Sequence, residues 1–128
     1  MLLGKRCAAV SLGLSDSQGT LHFNADAGSA SAIINGLGKS ISVVSLDKEL
    51  ENEPISFIKM DLEGWEMNAL RGAEITIKKY KPKLAIAVYH AAKDFRDIPQ
   101  YILKLNPDYK LYLRHYTQGW SETVMFFL

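Results

Sequence analysis

The sequence predicts one α/β domain, in which helices cover a mostly parallel sheet and an antiparallel hairpin forms one edge of that sheet. From Pro54 onward, buried apolar runs alternate with helical segments, as they do in the crossover units that build parallel sheets. The last two apolar runs are separated only by the turn TQGWS, which makes them antiparallel neighbours. The chain length of 128 residues allows one compact domain of this kind.

The N-terminal part of the chain predicts strands and one short helix. The strand in residues 7–14 is apolar on both faces, which indicates burial in a sheet. The helix lies in LDKELEN, with Asp47 near its start, where it is expected to act as a cap. Residues 25–40 combine three glycines with several small side chains and predict a loop. The predicted strands, in order, are CAAVSLGL, TLHFN and SISVVSL.

The C-terminal part predicts strands in ISFIKM, KPKLAIAV, YKLYLRHY and ETVMFFL. The helices between them are GWEMNALRG, AEITIKKY and a longer segment that follows residue 93. The first helix is expected to end at Gly72 in the left-handed conformation that glycine adopts readily. In the longest helix, Asp94 or Asp97 is expected to be the cap and Pro99 to lie in the first turn. One face of this helix carries the apolar side chains Phe95, Ile98, Ile102 and Leu105.

Composition excludes several classes of partner. With 15 Lys and Arg against 14 Asp and Glu, the net charge is +1, too small to attract nucleic acid or an anionic membrane. The single cysteine, Cys7, cannot form an internal disulfide, and in an apolar strand its thiol is expected to be inert. The N-terminal run resembles a short signal peptide, but small residues suited to cleavage come only at 25–32. No run approaches the roughly 20 apolar residues that span a bilayer. The single cysteine fits a reducing compartment, so a cytoplasmic location is expected.

Acidic side chains follow the buried strand FIKM, and polar side chains follow the next predicted strand. Asp61 and Glu63 come directly after the first strand, and Tyr89 and His90 come after KLAIAV. Ligands of open parallel sheets bind outside the carboxyl ends of the strands, so these side chains are expected to share one crevice. Glu66 has a simpler interpretation, since an acid near a helix start stabilises the helix by about 0.5–2 kcal/mol. Asp61 precedes that helix by too many residues to be its simplest cap, which favours a functional role.

Asp61, Glu63 and His90 are also plausible metal ligands. Their spacing does not show that they converge, because Gly64 lets the backbone turn between them. A metal-dependent hydrolase therefore remains an alternative, and no metal site is assigned from the sequence. His115 lies in an aromatic strand, where a lone histidine is more often structural than catalytic. The sequence has no nucleophile elbow that would indicate a Ser, His and Asp arrangement.

The run VSLDKEL…ISFIKMDLEGWEMNALRGAE…KYKPKLAIAVYH resembles the FkbM family of S-adenosylmethionine-dependent methyltransferases. Members of that family show a similar LD segment, the pattern IKxDxEGxExxxLxGA and a strand that ends in tyrosine and histidine. The resemblance extends to SLGLSDSQGTLHF and GSAS before this core, and to YKLYLRHY…ETV after it. The resemblance therefore covers nearly the whole chain, and it implies a Rossmann-like class I methyltransferase sheet.

The same resemblance places CAAVSLGL at the third strand of that sheet. It implies that residues 1–128 are part of an FkbM-type domain without its first two strands and its glycine-rich, cofactor-binding loop. GLGKS, which begins at Gly36, is no substitute, because a phosphate loop needs a preceding strand and fixed glycine spacing. A sheet without these strands has an open apolar edge, so self-association through that edge is expected.

The resemblance further implies O-methylation of a small hydroxylated acceptor, such as a sugar or a polyketide, with S-adenosylmethionine as cofactor. Asp61 and Glu63 would lie near the sulfonium or the acceptor hydroxyl, His90 would face them, and Asp61 or His90 would be the base. Ser15 and Asp16, after the third strand, would approach the adenine. The alternative from another class is a non-catalytic remnant or interaction module, in which the carboxylates only cap helices.

Overall fold

The computed structural model describes residues 7–23, 33–34 and 38–128. The strands in these residues are β1 (Gly13–Leu14), β2 (Gly19–Phe23), β3 (Ile33–Ile34), β4 (Lys39–Val44), β5 (Phe57–Met60), β6 (Lys83–Ala87), β7 (Leu111–His115) and β8 (Thr123–Phe127). The helices are α1 (Leu46–Leu50), α2 (Glu66–Arg71), α3 (Glu74–Tyr80) and α4 (Asp94–Leu105). None of these described helices combines the length and the apolar character needed to cross a membrane.

The described strands form two four-stranded sheets, with the orders β1-β4-β2-β3 and β5-β6-β8-β7. In the first sheet β1 runs parallel to β4, and the other pairs are antiparallel. In the second sheet β5 and β6 are parallel, while β8 is antiparallel to both β6 and β7. The mixed α/β class and the C-terminal hairpin are therefore confirmed. The single sheet that the sequence predicted is replaced by two, because the described residues contain no strand that pairs with the outer edge of β5.

The buried strand predicted in residues 7–14 is wrong for most of its length. Only Gly13–Leu14 pair with a neighbour, and residues 7–12 are exposed and outside any strand. Cys7, which was expected to be buried and inert, is exposed as well. An apolar run is buried only where other strands and helices cover it, and β1 has one neighbouring strand over two residue pairs. The predicted loop at 25–40 is interrupted by β3 and ends where β4 begins at Lys39, and its residues 25–32 and 35–37 lie outside the described residues.

The hydrophobic core lies on the face of the second sheet that α2, α3 and α4 cover. Met60, Leu84 and Phe127 from the sheet are at most 1% exposed and belong to the same buried cluster as Leu70 of α2 and Ile77 of α3. Each such side chain stabilises the fold by about 1.5–3 kcal/mol through burial. The strand β5 alternates between the two faces, so Phe57 and Lys59 lie on the opposite face and are exposed.

Gly72 ends α2, but not in the predicted left-handed conformation, since its φ is −73°. Glycine is needed at this position because another part of the chain approaches its backbone closely. A Cβ atom on Gly72 would lie 2.0 Å from the backbone oxygen of Ser15. The carbonyl of Gly72 also accepts a hydrogen bond of 2.8 Å from the backbone N–H of Asp47. Gly72 therefore joins the end of β1 and the start of α1 to α2.

Asp47 is a cap, as predicted, but of a different helix. Its two carboxylate oxygens accept hydrogen bonds from the backbone N–H groups of Ile75, at 3.0 Å, and Thr76, at 2.8 Å. These are donors in the first turn of α3, whereas the N-cap of α1 is Ser45. The carboxylate thereby ties α1 to α3.

The helix α4 starts too early for Pro99 to lie in its first turn, as the sequence predicted. It begins at Asp94, so Pro99 is in the interior of the helix and not in the first turn. The Asp94 carboxylate accepts a hydrogen bond of 3.1 Å from the backbone N–H of Ala91 just before the helix. Of the predicted apolar face, Ile98 and Ile102 are fully buried, while Phe95 is 43% exposed.

Candidate active site

The ends of β5 and β6 bring the predicted site residues together. These strands are parallel and pair Met60 with Ile86, so the segments that follow them leave the sheet at the same edge. Nε2 of His90 lies 3.5 Å from Oδ1 of Asp61 and 3.3 Å from Oε2 of Glu63. The expectation that Asp61, Glu63 and His90 share one crevice agrees with this geometry.

A tight turn folds Glu63 back toward His90. The carbonyl of Leu62 accepts a hydrogen bond of 3.1 Å from the N–H of Trp65. Both central residues of the turn have positive φ, 52° at Glu63 and 94° at Gly64, as in a type I′ turn. Glycine adopts this conformation freely, but a glutamate in it costs about 1–3 kcal/mol, and such residues are found most often at functional sites. This turn therefore brings Glu63 close to His90, which the sequence spacing alone could not show.

His90 and Glu66 form the buried floor of the site. The side chain of His90 is 9% exposed and that of Glu66 is 1% exposed, and Nδ1 of His90 lies 3.0 Å from Oε1 of Glu66. The same oxygen accepts a hydrogen bond of 2.6 Å from the N–H of Leu62, inside the turn. Burial raises the pKa of Glu66 above its ordinary value. The role of Glu66 is therefore not the helix cap that the sequence predicted, because its side chain holds the turn and faces His90.

The carboxylates lie close to His90 without making hydrogen bonds to it. Neither ring nitrogen of His90 has a hydrogen-bond partner, and Oε2 of Glu66 has none, although these atoms are buried. The short distances are thus close approaches whose geometry does not meet that of a hydrogen bond. One ligand atom each from Asp61, Glu63 and His90 lie within 4.8 Å of one another, close enough to hold a metal ion.

Tyr89 is a site residue to which the sequence assigned no role. Its hydroxyl donates a hydrogen bond to Oδ1 of Asp61 at 3.1 Å. Burial, followed by the charge of Asp61, raises the pKa of Tyr89 above its ordinary value, so the hydroxyl stays protonated and acts as a donor. The ring centroid of Tyr89 lies 4.1 Å from that of His90 and 6.2 Å from that of Trp120. The available signal was its position at the end of a strand beside His90.

Ser15 and Asp16 lie apart from this cluster. The hydroxyl of Ser15 is buried, donates to Oδ1 of Asp16 at 3.2 Å and accepts a hydrogen bond of 3.2 Å from the indole N–H of Trp65. Trp65 closes the turn that carries Glu63, so Ser15 is connected to the site through that turn. Asp16 is exposed and also accepts a hydrogen bond from Ser17. The described contacts include none between Ser15 or Asp16 and the Asp61 carboxylate.

A cavity of about 280 Å³ begins beside Asp61. It lies on the face of the second sheet that is opposite the hydrophobic core. Tyr116 and Glu122, from the ends of the C-terminal hairpin, also line it. The sheet contributes one charged side chain, Lys59, to its wall. Its other contributions are apolar and come from Phe57, Met60, Ala85, Ala87, Val124 and Phe126.

Comparisons with known proteins identify the family of this chain. Residues 5–111 match the model of the methyltransferase FkbM domain. The crystal structure of methyltransferase FkbM from Methylobacillus flagellatus KT is similar to this chain, with 32% sequence identity and a TM-score of 0.77. The similarity covers 96% of this chain but 28% of that one, so the chain spans less than a third of the length of the solved protein. No curated protein matches the sequence. Since the domain match extends over most of the 128 residues, the chain belongs to the FkbM family of methyltransferases.

Proposed function

We propose that the chain acts in S-adenosylmethionine-dependent O-methylation of a small hydroxylated acceptor, such as a sugar or a polyketide. The observation that supports this function is the meeting of Asp61, Glu63 and His90 at the carboxyl edge of two parallel strands in a methyltransferase-family chain. Ligands of open α/β sheets bind at such edges. A single cysteine and a net charge of +1 suit a cytoplasmic enzyme with a small-molecule substrate.

The cofactor would supply the methyl group on a sulfonium cation, and the acidic side chains fit that charge. Asp61 and Glu63 are 37% and 39% exposed at the mouth of the site, where they can face a ligand. Ser15 and Asp16 are proposed to approach the adenine, from the other side of Trp65. The described residues contain no glycine-rich loop after a strand, so these contacts alone do not account for cofactor binding.

Asp61 or His90 would take the proton from the acceptor hydroxyl as its oxygen attacks the methyl carbon. Tyr89 orients the Asp61 carboxylate by a hydrogen bond, and Glu66 lies against the opposite nitrogen of His90. Positioning supplies much of the rate in such a displacement, and a placed base contributes about 100-fold to 10,000-fold. The apolar cavity beside Asp61 would exclude water from part of the acceptor.

We further propose that the 128 residues are part of a larger methyltransferase domain, whose other strands and glycine-rich loop complete the cofactor site. Two observations support this. The chain corresponds to 28% of the solved FkbM methyltransferase, and β5 has no described partner on its outer edge.

Calorimetric titration with S-adenosylhomocysteine tests the function. We expect weak or no binding by the 128-residue chain, and saturable binding by a protein extended with an upstream methyltransferase segment that carries the glycine-rich loop. Asp61→Asn in the extended protein should weaken binding or abolish methyl transfer. An extended protein that folds but binds neither S-adenosylhomocysteine nor a metal would contradict the proposal and favour the non-catalytic module.

A further inference from the structure

We propose that Asp61, Glu63 and His90 bind one divalent transition-metal ion, of which Mn²⁺ is the representative. Each residue contributes one ligand atom, and the protein leaves the remaining coordination positions to water or substrate. The binding site is inferred from the geometry alone. Its role in catalysis deepens the proposed methyl transfer and rests on that function.

The distances within the cluster fit coordination to a common ion. Metal bonds to imidazole nitrogen and carboxylate oxygen are about 2.0–2.2 Å long, which places neighbouring ligand atoms about 3.0–3.5 Å apart. Nε2 of His90 is 3.3 Å from the Glu63 oxygen and 3.5 Å from the Asp61 oxygen. All three ligand atoms lie within 4.8 Å of one another. Both carboxylates are more than one-third exposed, so small side-chain rotations can close the remaining separation.

The buried histidine is the independent observation that indicates a ligand. Its side chain is 9% exposed, and Nε2 is buried without a hydrogen-bond partner while it faces the two carboxylates. An unsatisfied buried polar atom destabilises the fold, and a metal ion between Nε2 and the carboxylates would remove that penalty.

The second ring nitrogen of His90, Nδ1, faces a carboxylate, as the second nitrogen of a metal-binding histidine commonly does. A metal-bound histidine commonly donates its second ring N–H to a carboxylate, which fixes the orientation of the ring. Oε1 of Glu66 lies 3.0 Å from Nδ1 and is itself held by the Leu62 N–H. A small rotation of the ring would bring this contact into line. Glu66 is therefore a positioning residue in the proposal and not a ligand.

The ligand set selects among metals. Carboxylate oxygens suit Mg²⁺, Ca²⁺ and Mn²⁺, whereas imidazole nitrogen suits Zn²⁺, Fe²⁺ and Ni²⁺. A site of two carboxylates and one histidine therefore favours a transition-metal ion over Mg²⁺ and Ca²⁺, and Mn²⁺ serves as its spectroscopic probe. Three protein ligands with an open position are typical of catalytic metal sites. In the proposed methyl transfer, the acceptor hydroxyl would occupy the open position and lose its proton more easily. In this form of the reaction the metal, and not Asp61 or His90 as a base, would activate the hydroxyl. The O–H bond would break with the proton passing to solvent, the new O–C bond would form, and S-adenosylhomocysteine would leave with the electrons of the C–S bond.

Titration of the metal-stripped 128-residue chain with Mn²⁺ tests the site, by calorimetry and by the electron paramagnetic resonance signal of free Mn²⁺. We expect one saturable site, with Mg²⁺ binding at least tenfold more weakly. Glu63→Gln should weaken Mn²⁺ binding about tenfold or more, and His90→Gln should abolish it. Glu49→Gln, which changes an exposed carboxylate of α1 outside the cluster, is the matched control and should bind as the parent does.

Two outcomes overturn the metal site. One is the absence of saturable Mn²⁺, Co²⁺ or Zn²⁺ binding to a chain whose circular dichroism shows that it is folded. The other is parent-like Mn²⁺ binding by Glu63→Gln, a partly exposed position that remains testable if His90→Gln does not fold. Neither measurement uses the cofactor. If the chain binds no metal but the extended protein binds S-adenosylhomocysteine, the metal site is wrong and the proposed methyl transfer still stands. If the chain binds metal but the extended protein never binds S-adenosylhomocysteine, only the metal site stands.

Discussion

The hydroxyl of Tyr89 donates a hydrogen bond to the carboxylate of Asp61, from the segment after β6 to the segment after β5. The contact holds a partly exposed carboxylate of the site in one orientation. Tyr89→Phe removes the donor and leaves the ring in place against His90. In the extended protein we expect methyl transfer to fall about tenfold, the scale of one hydrogen bond to a charged group. Rates measured with radiolabelled S-adenosylmethionine check this, with Tyr112→Phe on the exposed strand β7 as the control.

Asp61 and Asp47 should separate activity from stability. Asp61→Asn in the extended protein should lower turnover about 100-fold or more, the scale for a placed acid or base, with little change in the free energy of unfolding. In the parent, both carboxylate oxygens of Asp47 accept hydrogen bonds from backbone N–H groups in the first turn of α3. Asp47→Asn keeps one of these two acceptor oxygens. It should cost about 1 kcal/mol of stability and leave turnover unchanged. An Asp61→Asn protein that methylates at the parent rate would disprove the assignment of Asp61 to the site.

Gly72 should tolerate no side chain. In Gly72→Ala the new Cβ would lie 2.0 Å from the Ser15 carbonyl oxygen, so the backbone of β1 or α2 must move. We expect a loss of about 3 kcal/mol or more, or failure to fold, on the scale of severe overpacking. Gly19→Ala is the matched control, because no atom lies within 4 Å of its added Cβ. Urea denaturation of both variants measures the difference, and equal midpoints would contradict the expected clash.

Glu74 should make part of the stability depend on pH. Its pKa is lowered, first by the hydrogen bond from Lys78 and then by that from the Tyr101 hydroxyl of α4, at 3.0 Å. A carboxyl group whose folded-state pKa is lowered stabilises the fold above its unfolded pKa, near 4.5, and loses that contribution as pH falls through the folded value. Glu74→Gln should therefore be less stable than the parent at pH 7, and the difference should shrink below about pH 4.5.

Thermal unfolding at several pH values measures this difference. Glu49→Gln, on the neighbouring helix α1, is the control for a change of charge. A Glu74→Gln deficit that stays constant from pH 7 to pH 3 would show that lost packing, and not the charge of Glu74, causes it.

The outer edge of β5 should promote self-association of the 128-residue chain. This strand has one described neighbour, and Phe57 on it is 54% exposed. Unpaired edges and exposed apolar side chains recruit other chains. Light scattering after size-exclusion chromatography should show dimers or larger species, and Phe57→Lys should reduce them. A dilute monomer of the parent chain with a sharp, cooperative melt would count against this prediction.

Local pattern was enough to predict β5, β6 and the hairpin of β7 and β8, because their apolar periodicity and their short turn are properties of consecutive residues. The same reasoning failed for residues 7–12, whose burial depends on neighbours that their own sequence does not reveal. Gly72 illustrates a similar limit. Its place at a helix end was predictable, but the approach of Ser15 that excludes a side chain joins distant parts of the chain.

The sequence was enough to predict most residues of the site, but not how their side chains are arranged. The parallel pairing of β5 and β6 follows from the crossover pattern, and it places Asp61 and His90 at one edge. The position of Glu63 depends on its own positive φ, which the presence of Gly64 allows but does not require. Tyr89 and Glu66 were visible as polar residues near strand and helix ends. Their partners, Asp61 and His90, became clear only from the folded chain.

The hydrogen bond between the Trp65 indole and the Ser15 hydroxyl connects two regions of the molecule. Trp65 closes the turn whose central residues are Glu63 and Gly64, while Ser15 lies at the end of β1 in the other sheet. Any ligand that engages the Ser15 hydroxyl competes with the indole and alters the stability of that turn. If a ligand at Ser15 changed the affinity for a ligand held by Glu63, the second ligand would by linkage change the affinity at Ser15 by the same factor.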